Sequence, residues 1–300
     1  MTALLKATNG TLMRTPFLGL LAWATVLLWM PLAHTLVVLQ FSLLDGAPRY
    51  FLSILIGLVG WVLVWKGFSR KELPATVYGF IGGSLIWLGW MEGSLEFLGH
   101  WLDPEPLMYM GIELFTANLL LLQATGVFLI ALLIWLGSNK DTHCRMFMWF
   151  HRNLKLTPDR RTAGYKRQFS RIVALEVIML NWFFYVLILV VFDPRILGPF
   201  HAATIATVAA VFLWSMWLLF FRMVSMPQPA GAIRYAVPCA NVFWFCVESG
   251  SAWQLYLEPW IRPYEFPVTN ILIGLAFVAG LVWFHTRQQA SAAAKGAPAT

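Results

Sequence analysis

Acidic and imidazole side chains recur at regular intervals inside one apolar segment, WLGWMEGSLEFLGHWLDPEP, which runs from Trp87 to Pro106. Glu92, Glu96 and His100 follow one another every four residues, so on a helix they lie along one stripe. A charged side chain within a bilayer costs about 3 kcal/mol even on the more lenient insertion scales. Acids retained in such a segment therefore indicate a binding site or a proton-transfer site.

A second segment repeats this pattern near the C-terminus, as NVFWFCVESGSAWQLYLEPW from Asn241 to Trp260. It again combines aromatic residues with a glutamate, Glu248. Both segments have a Glu-Pro pair at or near their end, and in the second segment a tryptophan follows this pair. At about 1.5 Å per helical residue, Glu92, Glu248 and His34 each lie about 14 Å from the predicted outer end of their span. The sequence thus predicts a shared site in the outer half of the bilayer.

Seven side chains are candidates for this site, and they fall into two chemical groups. The predicted substrate-binding or ion-binding residues are glutamates: Glu92, Glu248, Glu96 and Glu113. The predicted metal ligands are histidines: His34, His100 and His201. Carboxylates and imidazoles together can bind a cation, carry a proton or act as acid and base. The alternative is that each acid is protonated and only forms hydrogen bonds between helices.

The cofactor that such a site would use is a metal ion or a quinone. Helix bundles build metal sites from inward-facing Glu and His, but the usual Glu-x-x-His signature does not occur in this sequence. His34 with His201 is the one histidine pair that we consider for a haem. The spacing of the three cysteines favours neither a disulfide framework nor a zinc site.

The composition identifies the class of protein. Of the 300 residues, 59% are hydrophobic and only 12% are charged, whereas about a quarter of the residues in a soluble domain are charged. This excludes a water-soluble globule. The formal net charge of +7 does not indicate nucleic-acid binding, because the basic residues lie in loops between apolar runs, where membrane topology explains them.

We predict an all-α integral membrane protein with eight transmembrane helices, because eight apolar runs approach the roughly 20 residues needed to cross a bilayer. The predicted spans are 15–43, 50–67, 76–101, 107–137, 169–192, 198–221, 231–257 and 265–286. The domains are an N-terminus (1–14), a first half (15–137), a basic loop (138–168), a second half (169–286) and a disordered tail (287–300).

Charge distribution predicts the orientation in the membrane. All but three of the 21 Lys and Arg residues fall on one side of the predicted bundle, and the three exceptions are Arg49, Arg195 and Arg262. By the positive-inside rule, both termini and loop 138–168 are cytoplasmic, and we expect the membrane to be a bacterial inner membrane. The basic and aromatic loop should also contact anionic lipid.

The chain also shows signs of a tandem 4+4 internal repeat. Each half has a tyrosine, Tyr78 or Tyr235, near the start of its glutamate-bearing span, 157 positions apart. The two glutamates, Glu92 and Glu248, are 156 positions apart, so the alignment requires one single-residue slip. Halves of four spans each would be parallel in the membrane and related by an axis along its normal.

Two functions fit these predictions. One is a transporter or permease for a cation or small solute, with or without coupling to protons. This function rests on the paired glutamates and the duplication. The other is a membrane redox protein, either the quinone-binding anchor of an oxidoreductase complex with protein partners or a metal-dependent oxidase, using the same cluster for electron and proton transfer. It rests on the clustering of acids toward one face.

Overall fold

A computed structural model describes residues 15–115, 145–157, 162–164 and 166–296 of this chain, and helices cover most of them. The helices in chain order are α1 (Phe17–Leu27), α2 (Trp29–Leu43), α3 (Ala47–Gly67), α4 (Glu72–Ile86), α5 (Gly93–Leu102), α6 (Arg145–Asn153), α7 (Phe169–Phe192), α8 (Ala202–Trp217), α9 (Pro229–Ala252) and α10 (Pro267–Gly296). Two π-helical segments, Trp87–Glu92 and Leu218–Met223, continue α4 and α8, and a 3₁₀ turn covers Pro259–Ile261.

Six helical stretches in the described part of the chain are long and apolar enough to span a membrane. They are Phe17–Leu43, Ala47–Gly67, Phe169–Phe192, Ala202–Met223, Pro229–Ala252 and Pro267–Arg287. This confirms a helical, apolar architecture of the membrane type. Each of the six overlaps one predicted span, whereas the full set of eight spans stays a prediction.

The first span is interrupted near Pro31. Helix α1 ends at Leu27 and α2 begins at Trp29, with Leu28 in a turn between them. Pro31 has no N–H to donate to the carbonyl of Leu27 four residues earlier, so the regular helical ladder breaks at this point. The break at Leu28 lies six residues before His34.

The predicted third span, 76–101, is helical but is not among the six stretches. Its helix begins at Glu72, passes through the π-helical segment and ends at Leu102. Glycines, tryptophans and two glutamates lower its hydropathy relative to the other spans. Glu92 is the last residue of the π-helical segment, and such bulges in helices are frequent at functional sites.

The predicted fourth span, 107–137, is wrong at its start. A β-hairpin occupies this region, with β1 (Leu107–Tyr109) antiparallel to β2 (Ile112–Phe115). Met110 and Gly111 both have positive φ values, 50° and 80°, as the tight turn of a two-residue hairpin requires. Residues 116–144, which hold the rest of this span, lie outside the described residues.

The tail also differs from its prediction. Helix α10 continues to Gly296, so residues 287–296, predicted to be disordered, are helical. The segment QQASAAAK is rich in alanine and in straight-chain residues, which are the strongest helix formers. In the long loop, the only regular element among the described residues is α6.

The chain divides into two compact units. One unit comprises Met1–Arg49, Lys71–Val77 and Val208–Thr300, and the other comprises Tyr50–Arg70 and Tyr78–Thr207. These units cut across the predicted halves 15–137 and 169–286. The duplication therefore stays a prediction.

The first unit is organised by the close packing of α1 against α9. Small residues on α9, including Ala232, Ala236 and Ala240, are fully buried and allow the two helices to approach. Trp23 of α1 contacts Phe243 of α9 edge to face, with ring centroids 5.2 Å apart. This packing places α2, which continues α1, beside the C-terminal end of α9.

The second unit is held together by glycine contacts between helices. A Cβ atom added to Gly82 would lie 2.6 Å from the carbonyl oxygen of Gly60, so α3 and α4 touch backbone to backbone. Ser170 of α7 donates a hydrogen bond of 2.6 Å to the carbonyl of Val64 on α3. The unit therefore positions the π-helical segment, whose Trp87 packs against α7 at Trp182, with ring centroids 6.2 Å apart.

Candidate functional site

The first unit brings two of the predicted site residues together. His34 on α2 and Glu248 on α9 face each other, with His34 Nε2 3.5 Å from Glu248 Oε1. The side chains of His34 and Glu248 keep 25% and 17% of their accessible surface, so the pair is partly buried and still accessible to solvent. Sequence analysis placed both residues at the same height, and the structure shows them in contact.

A hydrogen bond of His34 determines which of its two ring nitrogens can exchange a proton. His34 Nδ1 lies 2.9 Å from the carbonyl oxygen of Met30, which can only accept, so Nδ1 carries a hydrogen. Nε2 is then the nitrogen that gains or loses a proton, and it faces Glu248. The pair exists either as imidazolium with carboxylate or as neutral imidazole with carboxylic acid when it holds one proton between the two groups.

Trp244 fixes the position of the glutamate. Its indole Nε1 donates a hydrogen bond of 2.8 Å to Glu248 Oε1, one helical turn away on α9. The same indole ring contacts the imidazole of His34, with centroids 5.4 Å apart. The indole N–H and the imidazole therefore both approach the same carboxylate oxygen, Glu248 Oε1, and the indole holds that oxygen beside His34 Nε2.

A turn segment, residues 253–266, lies over this pair, and we call it the cover segment. The ring of Trp260 packs on Trp244 at 5.2 Å, and the Tyr256 hydroxyl donates a hydrogen bond to the carbonyl of Val247. Partial burial raises the pKa of Tyr256, and the nearby charges of Glu258 and Glu248 raise it further, so its hydroxyl stays protonated at physiological pH.

A buried amide fastens the cover segment on the other side of the pair. Asn270 on α10 donates through Nδ2 to the carbonyls of Pro259 and Phe266, each at 2.9 Å. Its Oδ1 accepts a 2.7 Å hydrogen bond from the hydroxyl of Thr35, the residue next to His34. The cover segment is therefore connected to the neighbours of both His34 and Glu248.

The position of the pair along the helices differs from the expected depth. Helix α9 ends at Ala252 rather than at the predicted residue 257, because the chain turns into the cover segment. Glu248 lies four residues from this end, or about 6 Å, instead of the expected 14 Å. Glu92, by contrast, lies ten residues before the end of its helical run at Leu102, or about 15 Å. The two glutamates therefore do not hold equivalent positions in their helices.

The second unit contains the remaining predicted residues, and they are dispersed. Glu92 and Glu96 are half-buried on the π-helical segment and α5, whereas His100 and Glu113 are exposed. Glu92 and Glu248 belong to different units, so the cavity that they were expected to share stays a prediction.

His201 lies in a different environment, beside a shallow cleft of about 250 Å³ next to the loop between α7 and α8. Its Nδ1 accepts a 3.2 Å hydrogen bond from the N–H of Ala203, so it caps the start of α8. The same loop is held by Asp193, which is buried and binds Arg195 through both carboxylate oxygens. This hydrogen-bonded ion pair raises the pKa of Arg195, which stays charged at all physiological pH values.

Metal binding gains no support from this geometry. Among the described residues, no three His, Cys, Asp or Glu side chains come together as metal ligands. The proposed metal role of His34, His100 and His201 accordingly stays a prediction.

Sequence reasoning missed the residues that support the pair, namely Trp244, Thr35 and Asn270. A tryptophan one turn from a glutamate is a signal that the sequence contains, because residues four apart on a helix are neighbours. An asparagine inside an apolar span is another, since polar groups there need partners. Only the structure shows that both signals meet at His34 and Glu248.

Comparison with protein-family models, with curated proteins and with solved structures gives no match to this chain. Its function must therefore be argued from the geometry of the His34–Glu248 pair.

Proposed function

We propose that this protein is a polytopic membrane transporter for a cation or small solute, driven by a proton that His34 and Glu248 bind and release. The observation that carries the proposal is the 3.5 Å approach of His34 Nε2 to Glu248 Oε1 within helices of the membrane-spanning type. An acid and a base in contact there exchange one proton without creating an unpaired charge in a medium of low polarity.

Each neighbour has a role in this cycle. The carbonyl of Met30 keeps a hydrogen on Nδ1, so protonation takes place only at the nitrogen that faces the glutamate. Trp244 donates to the carboxylate and stabilises its negative charge when the imidazole is neutral. Protonation of the pair would release a cation bound to the same carboxylate, and loss of the proton would leave the carboxylate charge free to bind the cation, which is the coupling that a proton-driven transporter requires.

A second candidate function is a membrane redox protein, a quinone-binding anchor or a metal-dependent oxidase. The observation that favours a quinone is the indole of Trp260, whose buried Nε1 has no acceptor in the part of the chain that the structure describes. Quinone carbonyls accept such hydrogen bonds, and the aromatic rings of Trp244, Trp260 and Tyr256 suit a planar ligand. His34 and Glu248 would then take up the protons of the quinol.

For either function we propose the same membrane placement. The protein would lie in a bacterial inner membrane with both termini in the cytoplasm, supported by the bias of Lys and Arg toward one side. Helix α6 would lie on the anionic headgroups, because it combines exposed Trp149 with basic residues such as Arg152.

The test is a flux assay in vesicles with an imposed pH gradient, using a pH-sensitive dye in the lumen and a panel of inorganic cations and small solutes. We expect the wild-type protein to dissipate the gradient with one class of solute and the Glu248→Gln and His34→Gln variants to lose this activity by at least about tenfold. His285→Gln, which changes an exposed histidine near the other end of α10, is the matched control and should retain activity.

The optical spectrum and the metal and quinone content of the purified protein distinguish the redox protein from the transporter. The transport proposal predicts no stoichiometric quinone or haem in the purified protein. Stoichiometric quinone that is lost in Glu248→Gln, with no solute-dependent flux, would replace the transport proposal by the redox one.

A further inference from the structure

A second ion pair lies at the opposite end of helix α9 from Glu248. Arg234 Nη1 donates a hydrogen bond of 2.6 Å to Glu72 Oε1, and the side chains keep 22% and 36% of their accessible surface. Glu72 is the first residue of α4, and both residues belong to the first compact unit. Sequence analysis did not pair them.

The His34–Glu248 and Glu72–Arg234 pairs hold α9 at both ends. Arg234 and Glu248 are 14 residues apart, which corresponds to about 21 Å along the helix. His34 contacts the end of α9 that the predicted topology places outside, and Glu72 contacts the end that the predicted topology places in the cytoplasm. Helix α9 contributes one residue to each pair, so a tilt of this helix changes both.

A proline between the two pairs provides a bending point. Pro238 lies inside α9, and it has no N–H to donate to the carbonyl of Arg234 four residues earlier. Bends in membrane helices concentrate at such positions. The part of α9 that carries Arg234 can therefore move relative to the part that carries Glu248.

Tight apolar packing closes the region next to the Arg234 end. Ile233, Ala236 and Val237 are fully buried, and Cys239 retains only 1% of its surface. Asn241 is also buried and uses its side chain within α9, donating to the carbonyl of Val237 at 3.1 Å. With α9 packed in this way, these side chains are shielded from water.

We propose that the Glu72–Arg234 pair is the inner gate of the path whose outer proton site is His34–Glu248. This inference rests on the proposed transport function. With the pair formed, the inner end of α9 stays packed and the site communicates only with the outer side. When the pair breaks, the inner segment of α9 bends at Pro238 and admits water from the cytoplasmic side.

The chain contains its own reporter for this movement, because Cys239 lies five residues beyond Arg234 on the same helix. In a background with Cys144→Ser and Cys246→Ser, a membrane-impermeant thiol reagent is applied from the cytoplasmic side of vesicles that contain the full chain. We expect slow modification of Cys239 in the parent and at least about fivefold faster modification in Glu72→Gln and Arg234→Gln, as loss of a partly buried ion pair implies.

Two variants make this test specific. The charge-reversed double variant, Glu72→Arg with Arg234→Glu, should return the modification rate to near the parental value. Arg222→Gln is the matched control, since Arg222 belongs to the same end of the unit but lies over the ring of Trp217, 5.0 Å from its centroid. It should leave the rate unchanged.

Equal rates in the parent and both single variants would overturn the gate, and so would a double variant as reactive as the singles. If Glu72→Gln is not monodisperse, Glu72→Asp replaces it, because the shorter side chain withdraws the carboxylate from Arg234; its Cys239 rate should lie between those of the parent and Arg234→Gln, and a parental rate in both variants would overturn the gate. The readout needs no substrate, so a failure of the flux assay would remove the proposed transport function, whereas an unchanged Cys239 rate would remove only the gate.

Discussion

Replacing Asn270 by leucine should loosen the cover segment, because it removes the amide while keeping a branched side chain of similar shape. Asn270 is 7% exposed and forms three side-chain hydrogen bonds, to Thr35, Pro259 and Phe266. The carbonyl of Phe266 also accepts from the backbone N–H of Asn270, so the substitution leaves it satisfied. The carbonyl of Pro259 loses its amide donor, although the N–H of Arg262 lies 3.3 Å from it.

The expected loss follows from the hydrogen bonds removed. A buried neutral hydrogen bond contributes about 1 kcal/mol, and a buried group left without a partner costs about 1–3 kcal/mol. The Thr35 hydroxyl keeps the carbonyl of Pro31 as an acceptor at 3.0 Å, so only part of this cost applies there. We therefore expect Asn270→Leu to destabilise the protein by about 2 kcal/mol.

The assay is thermal unfolding in nanodiscs combined with hydrogen exchange of the cover segment. Exchange in residues 253–266 should accelerate, while exchange in α7 should not change. Ser42→Ala is the control, because Ser42 contacts Tyr264 of the same segment through an exposed hydrogen bond of 2.9 Å, and it should cost less than about 0.5 kcal/mol. Unchanged stability and exchange in Asn270→Leu would refute the role assigned to this amide.

Three further predictions concern packing, a buried carboxylate and topology. Gly82→Ala should destabilise the protein by about 1–3 kcal/mol because its Cβ would overlap backbone, whereas Gly231→Ala, with open space around it, should be neutral in the same unfolding assay. Asp193→Asn should cost about 2 kcal/mol because a buried carboxylate loses its charge-assisted hydrogen bonds, whereas Asp45→Asn, at a fully exposed carboxylate, should leave stability unchanged. Single cysteines introduced into loop 138–168 should react with impermeant reagents only from the cytoplasmic side, and labelling of intact cells would contradict the predicted orientation.

The membrane helices could be predicted because each is a continuous apolar run bounded by proline, glycine or charge. Span 169–192 was predicted with the bounds that the structure shows, since Asp193-Pro194 stops the helix sharply. The hairpin at 107–115 could not be recognised in the same way. Its sequence, LMYMGIELF, is apolar throughout, and short apolar runs do not distinguish a strand from a helix.

The site was partly predictable for a similar reason. Counting residues placed His34 and Glu248 at one height, but it could not show that α2 and α9 are neighbours, because no pattern in the sequence specifies which helices pack together. The predicted end of span 231–257 was wrong because Trp253 to Trp260 continues the aromatic pattern of the span, whereas the helix ends at Ala252 and the chain turns there. Tertiary packing determines both which helices are neighbours and where α9 ends.

The central claim is that His34 and Glu248 share an exchangeable proton, and infrared difference spectroscopy of the purified protein tests it most directly. As the pH is lowered, the wild-type protein should gain a protonated-carboxyl stretching band that is absent in Glu248→Gln and altered in His34→Gln. Trp244→Phe, which removes the indole donor to the carboxylate, should shift the band without abolishing it. Difference spectra that are identical in the wild-type protein and in Glu248→Gln would contradict the claim.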